Sequence, residues 1–316
     1  MLTWLEALKD PNTQWILYGS SLLGLSGGVL GSFAYLRKQS LMGDALSHAA
    51  LPGVCAAFMV TGSKSILGFL AGAAISGLLA TLSIGWMTRH SKIKQDTALG
   101  IVLSVFFGFG IVLLTQIQHS PSGNQSGLDK FLFGQAASMV MKDVYTMAGV
   151  SVLLLLVCSL FYKELKLTSF DTGFAKGIGY PTALLDQFVL LLILVAVVTG
   201  IQAVGVVLMA ALLITPAVAA RYWTEKLGTM VVLSGLFGAI SGALGTLFST
   251  IGSNMPTGPL SVLAATAWFL VSLVFGASKG LMPKLLLKWS AYRSVQKAKL
   301  PYESKRAQRE GVSVGD

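Results

Sequence analysis

The residues most suited to chemistry are a carboxylate and an imidazole, Asp44 and His48, within an otherwise apolar stretch. Their i, i+4 spacing places both side chains on one face of a helix, about 6 Å apart along its axis. Ionisable groups inside apolar sequence are costly and are therefore candidates for function. This pair can share one divalent cation. The competing interpretation is that Asp44 only caps the start of a helix, hydrogen-bonded to Ser47 or His48.

The ligand types restrict the ion. A carboxylate with an imidazole suits manganese, iron or zinc, and the two cysteines of the chain are too few for a thiolate-rich site. Further ligands are expected to be oxygens, from Ser47, from backbone carbonyls near Pro52 or from water. Because oxygen ligands favour manganese over zinc, manganese is the first choice of cation.

Pro52 and Gly53 follow His48 by one turn, and we expect them to break the helix near the site. Proline removes a backbone donor, and freed carbonyls at membrane depth are tolerated where they line a cavity. A plain packing kink is the alternative. The other two histidines, His90 and His119, fall in predicted loops on opposite faces and are interpreted as loop residues.

The elements that must position this pair are membrane-spanning helices. Of the 316 residues, 54% are hydrophobic and only 11% are charged, against about 25% in soluble domains. A soluble enzyme is therefore excluded, and we predict an all-α polytopic integral membrane protein with about nine transmembrane helices, eight to ten being compatible. The apolar runs lie near residues 15–36, 41–61, 65–87, 98–117, 143–162, 184–201, 204–221, 229–251 and 258–280.

One apolar run, residues 184–221, is too long for a single crossing, and we divide it at Gly200–Gln202 because Gln202 supplies a polar tip. The segment 126–141 is short and mixed, so it is interpreted as interfacial or re-entrant. The chain then has three parts: an external N-terminal segment, a transmembrane domain and a basic cytoplasmic tail, at residues 1–14, 15–280 and 281–316.

Positive charge predicts the orientation. With nine spans, one set of loops together with the tail holds 19 of the 23 lysine and arginine residues, and the opposite set holds four. Because such residues accumulate on the cytoplasmic side, the N-terminus is predicted outside and the C-terminus in the cytoplasm. The basic tail is expected to contact anionic membrane lipid rather than nucleic acid.

The sequence lacks two motifs of enzymes that use metal or ATP. It contains no HExxH and no GxxxxGK[ST] pattern. The chain is therefore expected to be a non-enzyme without its own ATPase site, and any ATP-driven role requires a separate subunit. No permanently bound cofactor is expected.

Four blocks of sequence resemble the ABC-3 permeases, the membrane subunits of bacterial manganese, zinc and iron importers. The first, Gly43–Gly53, reads GDALSHAALPG, and its Asp and His carry the permeating metal in that family. The resemblance therefore implies that Asp44 and His48 bind the metal. The other blocks are TALGIV, VVLMAALLITP and PTGP, at residues 97–102, 206–216 and 256–259.

The resemblance also implies partners and a coupling segment. The loop at about residues 163–183 looks like the family's coupling helix, with Asp171, Ala175 and Gly177 in the part that docks on the ATPase. The alternative is an ordinary solvated connection. The family further implies two cytoplasmic ATP-binding subunits, a second copy of this chain or a related permease, and an extracytoplasmic metal-binding protein.

The function expected from this sequence is that of the permease subunit of an ATP-binding-cassette importer for a divalent transition metal, in the bacterial cell membrane. Manganese is preferred, with zinc or iron as alternatives. The rival hypothesis is a proton-coupled secondary metal transporter that uses the same Asp/His pair, since histidine titrates near neutral pH.

Overall fold

The computed structural model describes residues 9–62, 66–119, 141–250, 255–285 and 289, and every regular element in this part of the chain is a helix. In chain order the helices are α1 (Pro11–Leu36), α2 (Met42–Thr61), α3 (Ile66–His90), α4 (Gln95–Gln118), α5 (Met141–Leu160), α6 (Tyr162–Phe170), α7 (Thr172–Gly177), α8 (Thr182–Val204), α9 (Val206–Arg221), α10 (Leu227–Ser249) and α11 (Thr257–Phe275). This confirms the predicted all-α architecture. Except for Met141, the segment 126–141 lies outside the described residues, as do residues 1–8 and most of the tail.

Eight of the helices in the described ranges are long and apolar enough to cross a membrane, one fewer than the nine preferred from sequence and within the expected range. The difference is α9. It has 16 residues and is therefore about 24 Å long, short of the roughly 30 Å of a bilayer core. The remaining helices, α6 and α7, have nine and six residues and belong to a connection.

The break between α8 and α9 lies at Gly205, not at Gly200–Gln202 as predicted. Gly205 has φ +89° and ψ 166°, a conformation that a residue with a Cβ rarely adopts. Gly200 has a different role, because a Cβ there would lie 2.3 Å from the sulfur of Met209. The helix therefore continues past Gly200 and ends where the backbone needs a positive φ.

The basic connecting segments meet at one end of the bundle. Arg89, at the end of α3, donates to the carbonyl of Ala183 at the start of α8 over 2.8 Å. After α9 and α11, the carbonyl of Tyr222 accepts from the backbone N–H of Ser278 at 2.9 Å. Which side of the membrane this basic end faces remains a prediction.

Helix α1 runs through the core and packs tightly against α10. It begins at Pro11, capped by Asp10, and so starts four residues before the predicted boundary. A Cβ at Gly24 would lie 2.1 Å from the carbonyl oxygen of Gly238, so the two backbones are in direct contact. Small residues that allow such close approach are a common basis of helix packing in membranes. The contact lies near the middle of α1 and holds that helix directly against α10.

Candidate functional site

The Asp44–His48 pair is assembled in the first two turns of α2. Asp44 Oδ1 lies 3.3 Å from His48 Nε2. The N-cap of α2 is Leu41, whose side chain makes no capping hydrogen bond, and Asp44 lies in the first turn. A carboxylate in the first turn is favoured by the helix dipole. The carboxylate oxygen and the imidazole nitrogen are close enough to bind the same cation.

The pair lies at the surface of the chain with its base held in the core. The side chain of Asp44 is 40% exposed and that of His48 is 17% exposed. The imidazole packs edge-on against Phe107 of α4, with ring centroids 4.7 Å apart. Its Nδ1 is buried and has no hydrogen-bond partner among the described residues. Close packing on α9 holds the backbone, since a Cβ at Gly43 would lie 3.3 Å from Cα of Ala210.

Ser47 does not contribute the expected oxygen ligand. Its side chain is fully buried, and its hydroxyl donates to the carbonyl of Gly43 over 2.6 Å. Residue 47 lies at i+3 from Asp44, on the side of α2 that faces the protein interior. Of the oxygen ligands expected from the sequence, those of the carbonyls near Pro52 and of water remain.

The expected helix break at Pro52 and Gly53 is absent, because α2 is one continuous helix from Met42 to Thr61. Proline removes only the hydrogen bond to the carbonyl of His48, four residues earlier. Packing supports the helix here: the Ser76 hydroxyl of α3 donates to the Ala49 carbonyl at 2.6 Å. A Cβ at Gly53 would lie 2.0 Å from the Gly72 carbonyl oxygen, so α2 and α3 are in backbone contact.

Beyond the pair, the same face of α2 lines an apolar cavity of about 640 Å³. Its α2 residues include Pro52, Ala56 and Val60, which continue the i+4 series of Asp44 and His48 towards the other end of the helix. Helices α3 and α4 complete the lining, with Ile75 and Phe109 among others. The polar pair is thus followed by an apolar stretch.

No third ligand joins the pair within the described ranges, where no cluster of three or more His, Cys, Asp or Glu residues occurs. His90 ends α3 and stacks on Trp86, with ring centroids 5.6 Å apart. His119 follows α4 at its far end, and its Nδ1 lies 2.8 Å from the carbonyl of Thr115. As expected, neither histidine contributes to the pair.

The segment predicted for coupling forms two short helices, α6 and α7. Asp171 caps α7, since its carboxylate accepts from the backbone N–H of Phe174 at 2.8 Å. Ala175 is fully buried within the chain, so its small side chain permits internal packing. Gly177 is exposed, and a Cβ there would meet no atom within 4 Å.

Sequence reasoning missed the exposed apolar side chains around α7. Phe170 is 58% exposed, Phe174 57% and Ile178 52%. Apolar side chains exposed together outside the spans are typical of an interaction surface. The signal in the sequence is the presence of phenylalanines in a segment that otherwise reads as a polar connection.

The fold and the polar pair define a multi-pass membrane protein with an ionisable site in one of its spans. The chain belongs to the ABC 3 transport family, whose family model matches residues 9–276. This confirms the resemblance and, with the eight membrane-spanning candidates, identifies a protein of the bacterial plasma membrane.

Two relatives give the family context. The manganese transport system membrane protein MntC of Bacillus subtilis is 56% identical over 90% of this chain, and the alignment spans 65% of that relative. The zinc transport system membrane protein TroC of Treponema pallidum is 46% identical, over 89% of this chain and 94% of TroC.

A solved structure supports the fold. PsaBC from Streptococcus pneumoniae in complex with Fab contains a chain that is 36% identical, with a TM-score of 0.76 over 87% of this chain and 96% of that chain. An inward-facing conformation of a putative metal-chelate type ABC transporter is 20% identical, with a TM-score of 0.62, and supports the fold alone.

Proposed function

We propose that this chain is the permease subunit of an ATP-binding-cassette importer for a divalent transition metal, with manganese as the preferred cation. The observation that carries the proposal is the 3.3 Å approach of Asp44 Oδ1 and His48 Nε2 on an apolar span of an ABC 3 family chain. The metal is the transported substrate. Asp44 supplies a charged oxygen ligand and His48 a nitrogen ligand.

The site is proposed to be completed by a second permease, either a second copy or a related chain. One chain offers two protein ligands, fewer than the roughly six that an octahedral cation such as manganese takes. The partial exposure of Asp44 leaves the pair open at the protein surface. Two facing pairs would supply two carboxylates and two imidazoles, and water would fill the remaining positions.

Manganese is preferred because of the donor set. No thiolate belongs to the pair: Cys55 is fully buried and its Sγ lies 3.8 Å from the Gly110 carbonyl oxygen. Carboxylate and water ligands suit manganese, whereas zinc binds more tightly where nitrogen and sulfur dominate. The relatives carry both manganese and zinc in their names, so the cation must be measured.

Energy for transport is proposed to come from two cytoplasmic ATP-binding subunits, since the sequence has no P-loop of its own. The apolar surface formed by Phe170, Phe174 and Ile178 is the proposed docking surface, which places the basic end of the bundle in the cytoplasm. An extracytoplasmic metal-binding protein would deliver the cation at the opposite end. Asp171 and Gly177 would shape the docking segment, with Ala175 packed behind it.

The experiment is manganese uptake by the reconstituted transporter carrying Asp44→Asn. The amide keeps the size of the side chain but removes the charged ligand, so uptake should be lost while the protein inserts at its normal level. Asp96→Asn is the matched control, because Asp96 also lies in the first turn of a span and is exposed. For His48→Gln, the matched control is His90→Gln.

Two results would contradict the proposal. Uptake near the unchanged level by well-inserted Asp44→Asn would remove the metal site. Uptake by this chain alone, under a proton gradient and without ATPase subunits, would instead favour the proton-coupled secondary transporter. Parallel assays with manganese, zinc and iron salts decide the preferred cation.

A further inference from the structure

Arg37 is a buried charge at the corner between α1 and α2. It follows the last residue of α1, and its side chain is only 4% exposed. A guanidinium removed from water is strongly unfavourable unless hydrogen-bond acceptors replace the water. Burial lowers the pKa of Arg37 from its ordinary value, and the opposite charge of Asp186 acts against this effect.

Three acceptors on two other elements surround the guanidinium. Its Nη1 donates to Asp186 Oδ1 in α8 at 2.7 Å, its Nη2 to the hydroxyl of Thr168, and its Nε to Ser169 Oγ in α6 at 3.3 Å. The planar fork of arginine can reach three acceptors in this way, whereas the ammonium of lysine is a point charge without that geometry.

The two hydroxyls of α6 are oriented towards the arginine by their own helix. Thr168 donates its proton to the carbonyl of Glu164 at 2.9 Å, and Ser169 donates to the carbonyl of Leu165 at 2.6 Å. With their protons committed, both oxygens act towards Arg37 as acceptors only. The two hydroxyl oxygens are thus oriented to accept hydrogen bonds from Arg37.

Arg37 and its three acceptors form a junction, and on one side this junction adjoins the docking segment. Helix α6 ends at Phe170, and the next residue, Asp171, caps α7. Lys176 of α7 is also within electrostatic reach of Asp186. A displacement of α7 would therefore also move Thr168 and Ser169, which lie within one turn of Asp171.

On the other side, the junction adjoins the start of the metal-binding helix. The corner is closed by backbone hydrogen bonds, from Gln39 N–H to the Ala34 carbonyl at 2.9 Å and from Met42 N–H to the Gln39 carbonyl at 3.1 Å. Lys38 adopts φ +59°, in the left-handed region. Because these hydrogen bonds hold the corner together, a displacement of Arg37 would also move Met42, two residues before Asp44.

We infer that Arg37 is the positioning residue that couples the ATPase-docking segment to the Asp44–His48 helix. The inference rests on the proposed function and deepens it. Arg37 contacts no metal. It acts because breaking its hydrogen bonds would strand a buried charge, so α6 and the α1–α2 corner move as one unit.

The test uses the full transporter, with its ATPase subunits and delivery protein, reconstituted in liposomes with manganese chloride as the probe. Arg37→Lys keeps the charge but loses the fork, and Thr168→Val removes one acceptor at nearly constant volume. Arg89→Lys is the control, since Arg89 also lies at the basic end and donates to a single backbone carbonyl. The main readout is the number of manganese ions transported per ATP hydrolysed.

We expect this ratio to fall at least about fivefold in both variants, within the usual range of coupling between sites. Manganese binding and ATPase co-purification should stay at the unchanged level, and Arg89→Lys should behave like the unchanged protein. A ratio that is unaffected overturns the inference alone. A loss of uptake that only follows the loss of folded protein also overturns it, by reducing Arg37 to a structural role. Absence of ATP-driven uptake by the unchanged transporter overturns the proposed function itself.

Discussion

The contact between α2 and α3 at Gly53 provides a quantitative test of how the site is positioned. A Cβ added by Gly53→Ala would lie 2.0 Å from the carbonyl oxygen of Gly72 and 2.6 Å from Cβ of Ser76. Ordinary van der Waals contact begins at 3.4 Å, so the two backbones must separate by about 1.4 Å at this point. Overpacking of this kind costs about 1–3 kcal/mol.

The matched control is Gly100→Ala in α4. A Cβ at Gly100 would meet no atom within 4 Å, and alanine in a helix interior is favoured over glycine by about 0.5–1 kcal/mol. The same chemical change is therefore expected to destabilise the protein at position 53 and to leave it unchanged or more stable at position 100.

The assay is thermal unfolding of the purified protein in detergent, followed with a thiol-reactive dye. Cys55 and Cys158 are free and buried, so the dye reacts when the helices separate. Gly53→Ala should unfold at a lower temperature than Gly100→Ala, and manganese uptake should fall because α2 carries the proposed metal ligands, Asp44 and His48. Equal unfolding temperatures for the two variants would refute the argument that backbone contact at Gly53 positions α2.

Three further predictions use the same preparations. Gly24→Ala should lower the unfolding temperature, because its Cβ would lie 2.1 Å from the Gly238 carbonyl oxygen; an unchanged temperature would contradict the α1–α10 contact. Phe174→Ala should weaken co-purification of the ATPase subunits and leave manganese binding by the permease unchanged. Weaker manganese binding with normal co-purification would show that docking has been assigned to the wrong segment. Cysteines introduced at Lys94 and His119 should react with an impermeant reagent from the cytoplasmic and the external side respectively; labelling of both from one side would contradict the proposed orientation.

Hydropathy predicted most of the fold because lipid demands long apolar helices, and such helices are visible in the sequence. The division of the run 184–221 was wrong for a specific reason. Gly200 and Gly205 look equivalent in the sequence, but one allows Met209 to pack closely and the other adopts a positive φ. Distinguishing a packing glycine from a conformational one requires knowledge of which helix lies alongside.

The Asp44–His48 pair was predictable because it depends only on helical spacing within one element. Ser47 and Ala175 were harder, because their roles depend on which face of a helix is turned inward, and both are fully buried. Arg37 was missed for a related reason. In the sequence it reads as one of many basic residues beside a span, and its acceptors lie more than 130 positions away along the chain.

The incompleteness of the pair within one chain suits a transported cation better than a resident one. A closed shell of protein ligands would hold the metal in every state, whereas transport requires an affinity that differs between states. A site completed only when two permeases bring their α2 helices together meets this requirement, since a small movement of α2 changes the number of ligands. The start of α2 is also where Arg37 holds the chain. Because Asp44 lies within the first turn after this corner, a displacement of the corner would change the geometry of the proposed ligands.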